Sequence, residues 1–334
     1  MKKLTTLCIA TALAASLANA FAADFQTRII RFGYGLAEDS NQGRAVKAFA
    51  EDLAKRTGGK FRTKGFASAS LGNDNQMQNA LIGGAQEMTV VSTATLVGIE
   101  DSFGIYDLPF VFRNEQEADA ILDGAFGQKL AAKLEAKGLV GLVYWENGFR
   151  NLTNSKHPIT KMEDMQGVKL RVMQNPVYID MFNGFGANAI PLAFSELFTA
   201  LESKTVDGQE NPVNTIQSSK FYEVQKYLSI TKHVYSPWIV LASKKWWDGL
   251  NADEKKAVRE SAVASRDFER KDSRAAGAKA LEVLKEKGMQ VTVLSPKELD
   301  RLQDAARPAV AKFSANGHVE LVKELQAEIA KVRK

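Results

Sequence analysis

Residues Asn251 to Lys287 read NADEKKAVRESAVASRDFERKDSRAAGAKALEVLKEK. Asn251 and Glu254 have the spacing of a capping box, in which the Asn side chain accepts from first-turn amides and the Glu reaches back to the cap. No proline follows until Pro296, and Gly277 is the only glycine inside the segment. The pattern predicts one helix of about 35 residues, roughly 50 Å long at 1.5 Å per residue. Such a helix is longer than a small lobe is wide. A solvated helix along a single domain is the plainer alternative; the length favours a spine that crosses two lobes.

Downstream, Ser295-Pro296-Lys297-Glu298 is a second capping box with Pro at the first helical position, opening a helix expected to stop or kink near Pro308. Upstream, short apolar runs alternate with amphipathic stretches, the pattern of an α/β protein with a largely parallel sheet. A strand at Arg28 to Tyr34, a helix at Gln42 to Arg56 and a strand at Lys60 to Phe66 precede a helix around Asn75 to Ile82 and a buried strand at Glu87 to Val91. That is a βαβαβ unit. A helical stretch from Asn114 to Lys137, broken at Gly124 to Gly127, leads to a buried strand at Leu139 to Tyr144. A second set begins near Phe149, with a strand at Val168 to Met173, a helix at Pro176 to Phe185 capped by Asn175, then Phe194 to Leu201 and Thr205 to Gly208. The expected division is lobe I from residues 23–147 plus about 237–276, and lobe II from 148–236 plus about 277–334, with the first crossing near residue 147.

The 334 residues are 45% hydrophobic and 25% charged, with one Cys, which excludes a disordered chain and a disulfide scaffold. The length suggests two domains, each able to bury its own core. The net charge of +5 comes from interspersed signs, so no nucleic-acid face is expected. His157, His233, His318 and Cys8 lie far apart without metal-ligand spacing, and neither a metal nor a cofactor is expected. Lys2 and Lys3, the apolar run Leu7 to Leu17 and the small residues Ala18, Ala20 and Ala22 have the three-part form of a secretory signal peptide over residues 1–22. Cys8 would leave with it, and loss of Lys2 and Lys3 lowers the formal charge from +5 to +3. No later stretch is apolar enough to span a bilayer, so the mature protein is expected in a bacterial periplasm, as a monomer.

Gly33-Tyr34-Gly35-Leu36-Ala37-Glu38 follows a strand and precedes a helix like a dinucleotide fingerprint, but Glu38 stands at the third glycine position and would repel a pyrophosphate. Gly184-Phe185-Gly186-Ala187-Asn188-Ala189 follows a helix instead of opening one, and reads as a stop and turn. There is no P-loop and no nucleophile elbow. Paired carboxylates leave a secreted lyase acting on an acidic sugar as the alternative from a different class. The residues that point to binding are arginines. In the strand at Val168 to Met173, alternation puts Lys169, Arg171 and Met173 on the face opposite Val168, Leu170 and Val172. Arg171 lies near the strand's C-terminal end, where open α/β sheets place ligands, and its planar guanidinium matches a carboxylate with two parallel hydrogen bonds. A surface arginine is the plainer reading for Arg171, and an interlobe salt bridge is the plainer one for Arg150.

Four segments carry a resemblance: Asn147-Gly148-Phe149-Arg150-Asn151, Asp164 through Val172, Pro191-Leu192-Ala193-Phe194-Ser195-Glu196, and Val206 through Pro212. In this order they resemble the periplasmic solute-binding proteins of TRAP transporters, the DctP family. The resemblance implies a two-lobed periplasmic-binding-protein clam with a ligand cleft between the lobes and a long helix spanning both. It also implies that Arg171 holds a substrate carboxylate, with Arg150, Asn211 and Phe194 around the same ligand and Asn147 in the segment beside them. Asp39, Ser40 and Asn41, and the region from Asp74 to Met77, resemble segments that approach the cleft. Ser92 and Thr93 stand where sialic-acid binders of the family carry an acid, which weakens a sialic-acid reading. Trp238, Trp145 and Tyr235 can line the cleft, although aromatic residues beside apolar runs are commonly core. The implied protein is a non-enzymatic carrier that delivers an organic acid to one small and one large integral membrane subunit. A sugar acid is favoured, a uronate before an aldonate, with a C4-dicarboxylate second.

Overall fold

The computed structural model describes residues 24–333, so the expected signal peptide lies outside the described residues. The chain begins β1 (Arg28–Tyr34), α1 (Asn41–Arg56), β2 (Phe61–Phe66), α2 (Asp74–Gly83) and β3 (Met88–Ser92), then passes through short 3-10 turns to α3 (Glu115–Asp123), α4 (Ala125–Lys133) and β4 (Leu139–Phe149). The second lobe holds β5 (Asn151–Asn154), β6 (Lys169–Val172), α5 (Pro176–Gly184), β7 (Asn188–Pro191), α6 (Phe194–Glu202), β8 (Gly208–Asn211), α7 (Val213–Ser218) and β9 (Tyr227–Ile230). The chain returns through β10 (Tyr235–Ser243) and α8 (Lys244–Asp248), then forms α9 (Ala252–Glu286), β11 (Gln290–Val293), α10 (Pro296–Phe313) and α11 (Val319–Val332).

Two sheets result, ordered β2-β1-β3-β10-β4 and β11-β9-β5-β8-β6-β7. The expected βαβαβ unit is present as parallel β2, β1 and β3. Both sheets are nevertheless mixed, which corrects the expectation of a largely parallel sheet. Each crossing between lobes brings a strand back in the opposite direction: β10 runs antiparallel to β3 and β4, and β5 antiparallel to β8 and β9. The first crossing falls at Arg150, close to the expected residue 147, because β4 stays paired with β10 as far as Phe149 opposite Tyr235.

The long helix forms over 35 residues, as the capping box predicts. Asn251 Oδ1 accepts from the Glu254 amide at 2.9 Å, and Glu254 Oε2 accepts from the Asn251 amide at 2.9 Å. The helix packs on α1 and β4 of the first lobe and on α7 of the second, so it is a spine. Ser273 marks the crossing. Its Oγ accepts from Asn41 Nδ2 at 2.6 Å on one side, and its carbonyl accepts from Asn214 Nδ2 at 2.8 Å on the other.

The C-terminal region departs from expectation twice. α10 continues through Pro308, which is exposed, so water can satisfy the carbonyl of Asp304 that the proline leaves free. The break comes instead at Asn316 and Gly317, where Gly317 has φ 91°. After it, α11 places Val322, Leu325 and Ile329 in the first lobe's core cluster, which also holds Phe126 and Leu130. Its apolar stripe finds its partner there, so the last helix does not belong with the second lobe as residues 277–334 were expected to.

Gly208 opens β8 where a Cβ would meet the Thr153 carbonyl oxygen at 2.3 Å and Asn154 Cβ at 2.9 Å on β5. Gly208→Ala is therefore expected to destabilise the fold by about 1–3 kcal/mol. Urea denaturation measures it, and a loss under about 0.5 kcal/mol would show that β5 and β8 separate at little cost.

Candidate functional site

The C-terminal ends of strands from both sheets converge on one cleft, as open α/β sheets favour. Gly35 and Leu36 lie just past β1, Ser92 ends β3, Met173 and Gln174 follow β6, Leu192 follows β7 and Asn211 ends β8. Asp74 at the start of α2 and Phe194 at the start of α6 face the same space. The cleft is narrow, a cavity of about 60 Å³ between these walls.

Arg171 lines this cleft and is 2% exposed. Its Nε donates to the Leu192 carbonyl at 2.9 Å, which fixes the plane of the guanidinium. Nη1 is buried with no hydrogen-bond partner among the described residues, and no carboxylate lies within salt-bridge distance. Burial pulls its pKa down to about 10, against the opposing field of Glu210. A charged donor in that position is costly until an anion arrives.

The amides around it have fixed orientations, because protein donors occupy their oxygens. Asn211 Oδ1 accepts from Arg150 Nη2 at 3.1 Å, and its Nδ2 gives one hydrogen to Gln209 at 2.5 Å. Asn147 Oδ1 accepts from Thr215 at 3.2 Å, and Gln42 Oε1 accepts from the Leu36 amide at 3.0 Å. All three therefore offer N–H to a ligand. Asp74 is the acid of the lining. Its Oδ2 accepts from the Ser92 amide at 3.0 Å, its Oδ1 takes no hydrogen bond from the described residues, and burial pushes its pKa up to about 6. Trp238 and Phe194 supply apolar walls, and Phe194 touches the cores of both lobes.

Of the expected site residues, Arg171, Asn211, Phe194, Asn147, Ser92, Asp74 and Trp238 meet in the cleft. Four do not. Arg150 is fully buried beneath it, with Nε ion-paired to Glu210 Oε2 and Nη2 bonded to Oε1 at 2.9 Å. Its Nη1 also lacks a partner, but its charge is balanced where that of Arg171 is not. Burial raises the Glu210 carboxyl, but the Arg150 field together with hydrogen bonds from His233 and Arg150 holds it low. Ser40 caps α1 by accepting from the Gly43 amide at 3.2 Å, Asn41 turns to the long helix, and Asp39 is exposed with its carbonyl bonded by Arg44. Local capping and packing claim the side chains of Ser40 and Asn41 before a ligand can. Trp145 and Tyr235 are core, Trp145 stacking on Phe32 with ring centroids 6.2 Å apart.

Gln42, Thr95, Met173, Gln174, Leu192 and Thr215 line the cleft without having been singled out. For Met173, Gln174 and Leu192 the signal was available, since each lies just beyond the C-terminal end of a strand. Cross-lobe bonds close the arrangement. Asn75 Nδ2 donates to Gln174 Oε1 at 3.0 Å, and Asn175 Nδ2 donates to Asp107 Oδ2 at 2.8 Å, with burial pushing the Asp107 carboxyl up to about 8.

The profile of the bacterial extracellular solute-binding proteins, family 7, matches residues 32–316. The crystal structure of a sugar acid binding protein from Advenella mimigardefordensis in complex with galactonate is 52% identical, with a TM-score of 0.91 over 92% of this chain and 99% of that one. The 2,3-diketo-L-gulonate-binding periplasmic protein of Escherichia coli is 38% identical over 86% of both chains. The C4-dicarboxylate-binding periplasmic protein of Rhodobacter capsulatus is 31% identical over 95% of this chain and 93% of its own.

The two arginines are expected to behave oppositely in the unliganded protein. Arg150→Met leaves Glu210 buried without its cation and is expected to cost about 3–5 kcal/mol. Arg171→Met removes a buried cation that has no counterion, and is expected to change stability by less than about 1 kcal/mol. Chemical denaturation distinguishes them; equal losses would contradict the assignment of the two roles.

Proposed function

This chain belongs to family 7 of the bacterial extracellular solute-binding proteins, and from that premise we propose that it captures a hydroxylated sugar acid in the periplasm and delivers it to the small and large integral membrane subunits of a TRAP transporter. The observation that carries the reading is the buried, unpartnered Nη1 of Arg171 at the cleft wall. A ligand carboxylate supplies what that group lacks, through short charge-assisted hydrogen bonds. The N–H groups of Asn211, Asn147 and Gln42 then meet hydroxyl oxygens, while Trp238 and Phe194 cover the apolar face of the carbon chain.

Galactonate in the 52% identical structure supports an aldonate ahead of a uronate, reversing the order expected from the sequence and its family resemblance. The Rhodobacter relative keeps C4-dicarboxylates as the second reading. The work is done by closure. A ligand that touches Arg171 on the second lobe and Gln42 on the first interacts fully only when the lobes meet, so it shifts the population toward the closed form. No covalent step is involved, and the acid leaves unchanged.

Isothermal calorimetry with galactonate tests the reading. Arg171→Ala is expected to weaken binding by roughly 2–5 kcal/mol, as for breaking a buried charge pair. A loss smaller than about tenfold, or about 1.4 kcal/mol, would mean that Arg171 is not the carboxylate anchor.

A further inference from the structure

The polar lining of the cleft is uneven in kind. From the second lobe the Arg171 cation and the oriented amide of Asn211 present donors, and Asn147 and Gln42 add theirs from the first. On the first lobe, the lining includes a carboxylate, Asp74, whose Oδ2 is held by the Ser92 amide while Oδ1 takes no hydrogen bond from the described residues. Asp74 is not within salt-bridge distance of Arg171, although the Arg171 field reaches it across the cleft and favours its ionised form. Its helix does not need it as a cap, because Asn73 and Gln76 form the capping box of α2.

We propose that Asp74 is the specificity-determining residue of the cleft: its free oxygen accepts from hydroxyl groups of an acid anchored on Arg171, and its charge disfavours a second carboxylate. The assignment rests on carboxylate capture by Arg171 and adds the class of acid that is rejected. Each hydroxyl of a sugar acid both accepts and donates, so it can take an amide N–H on one side and give its own hydrogen to Asp74 on the other. A C4-dicarboxylate has no hydrogen to donate at its far end and brings a like charge toward Asp74. With a pKa of about 6, raised by burial, Asp74 is ionised at neutral pH and above.

Asp74→Asn tests this with little disturbance. Its Oδ1 can keep the bond from the Ser92 amide, while the free oxygen becomes an NH₂ donor. Calorimetry at about pH 8 with galactonate and with succinate gives two dissociation constants for each protein, and thermal melts confirm that the variant is folded. The expected result is a loss of about tenfold or more for galactonate, as for a hydrogen bond to a charged group, together with a gain for succinate. A wild type that prefers succinate, or a variant whose ratio of the two constants moves less than twofold while the wild type binds galactonate, overturns the role of Asp74 and leaves carboxylate capture standing. A wild type that binds neither acid overturns both.

Discussion

Arg150 and Glu210 face each other at the join between the lobes, both fully buried. Glu210 also accepts from His233 Nε2 at 3.0 Å, while His233 Nδ1 is bonded by Thr231 at 2.7 Å. Arg150 directly follows β4 and His233 lies two residues before β10, so one carboxylate on β8 holds both strand connections that cross between the lobes. A buried ion pair contributes little net stability against its apolar equivalent, because desolvation offsets the attraction. What it fixes is geometry: it places the crossings, it turns the Asn211 amide, and it balances one of the two arginines. Arg171 is thereby left as the cation that the cleft itself must answer.

Closure follows from the same arrangement. Ser273 on the long helix ties Asn41 of one lobe and Asn214 of the other to a single residue of the spine. The Asn75–Gln174 and Asn175–Asp107 bonds meet across the cleft with neutral or weakly charged partners, which can be exchanged for water at modest cost. The large term is the unbalanced guanidinium of Arg171. An anion that satisfies it therefore has more influence on the lobe equilibrium than the direct contacts between the lobes.

Much of this was legible in the sequence where the cause is local. The capping box at Asn251 and the lack of breakers before Pro296 are local facts, and they set the length of the spine. Arg171 was legible from alternation within one strand and from its place at that strand's end. Arg150 was legible only as a salt-bridge candidate, because its partner lies 60 residues away on a strand that pairs Glu210 with Leu152. β8 itself reads poorly as a strand, since Gln209, Glu210 and Asn211 are polar and all buried. β10 is a continuous buried run interrupted by Pro237, which sits at a register shift and argues against a strand when read alone. Asn41 shows the same limit: its partner Ser273 lies 232 residues away, so its resemblance to a cleft segment could not reveal that the spine claims it.

A crystal structure of the protein with galactonate bound tests the central claim most directly. The account predicts a carboxylate oxygen about 3 Å from Arg171 Nη1, with the hydroxylated chain running toward Asp74 and Arg150 still paired to Glu210. A carboxylate seated elsewhere in the cleft, with Arg171 Nη1 still without a partner, would contradict it.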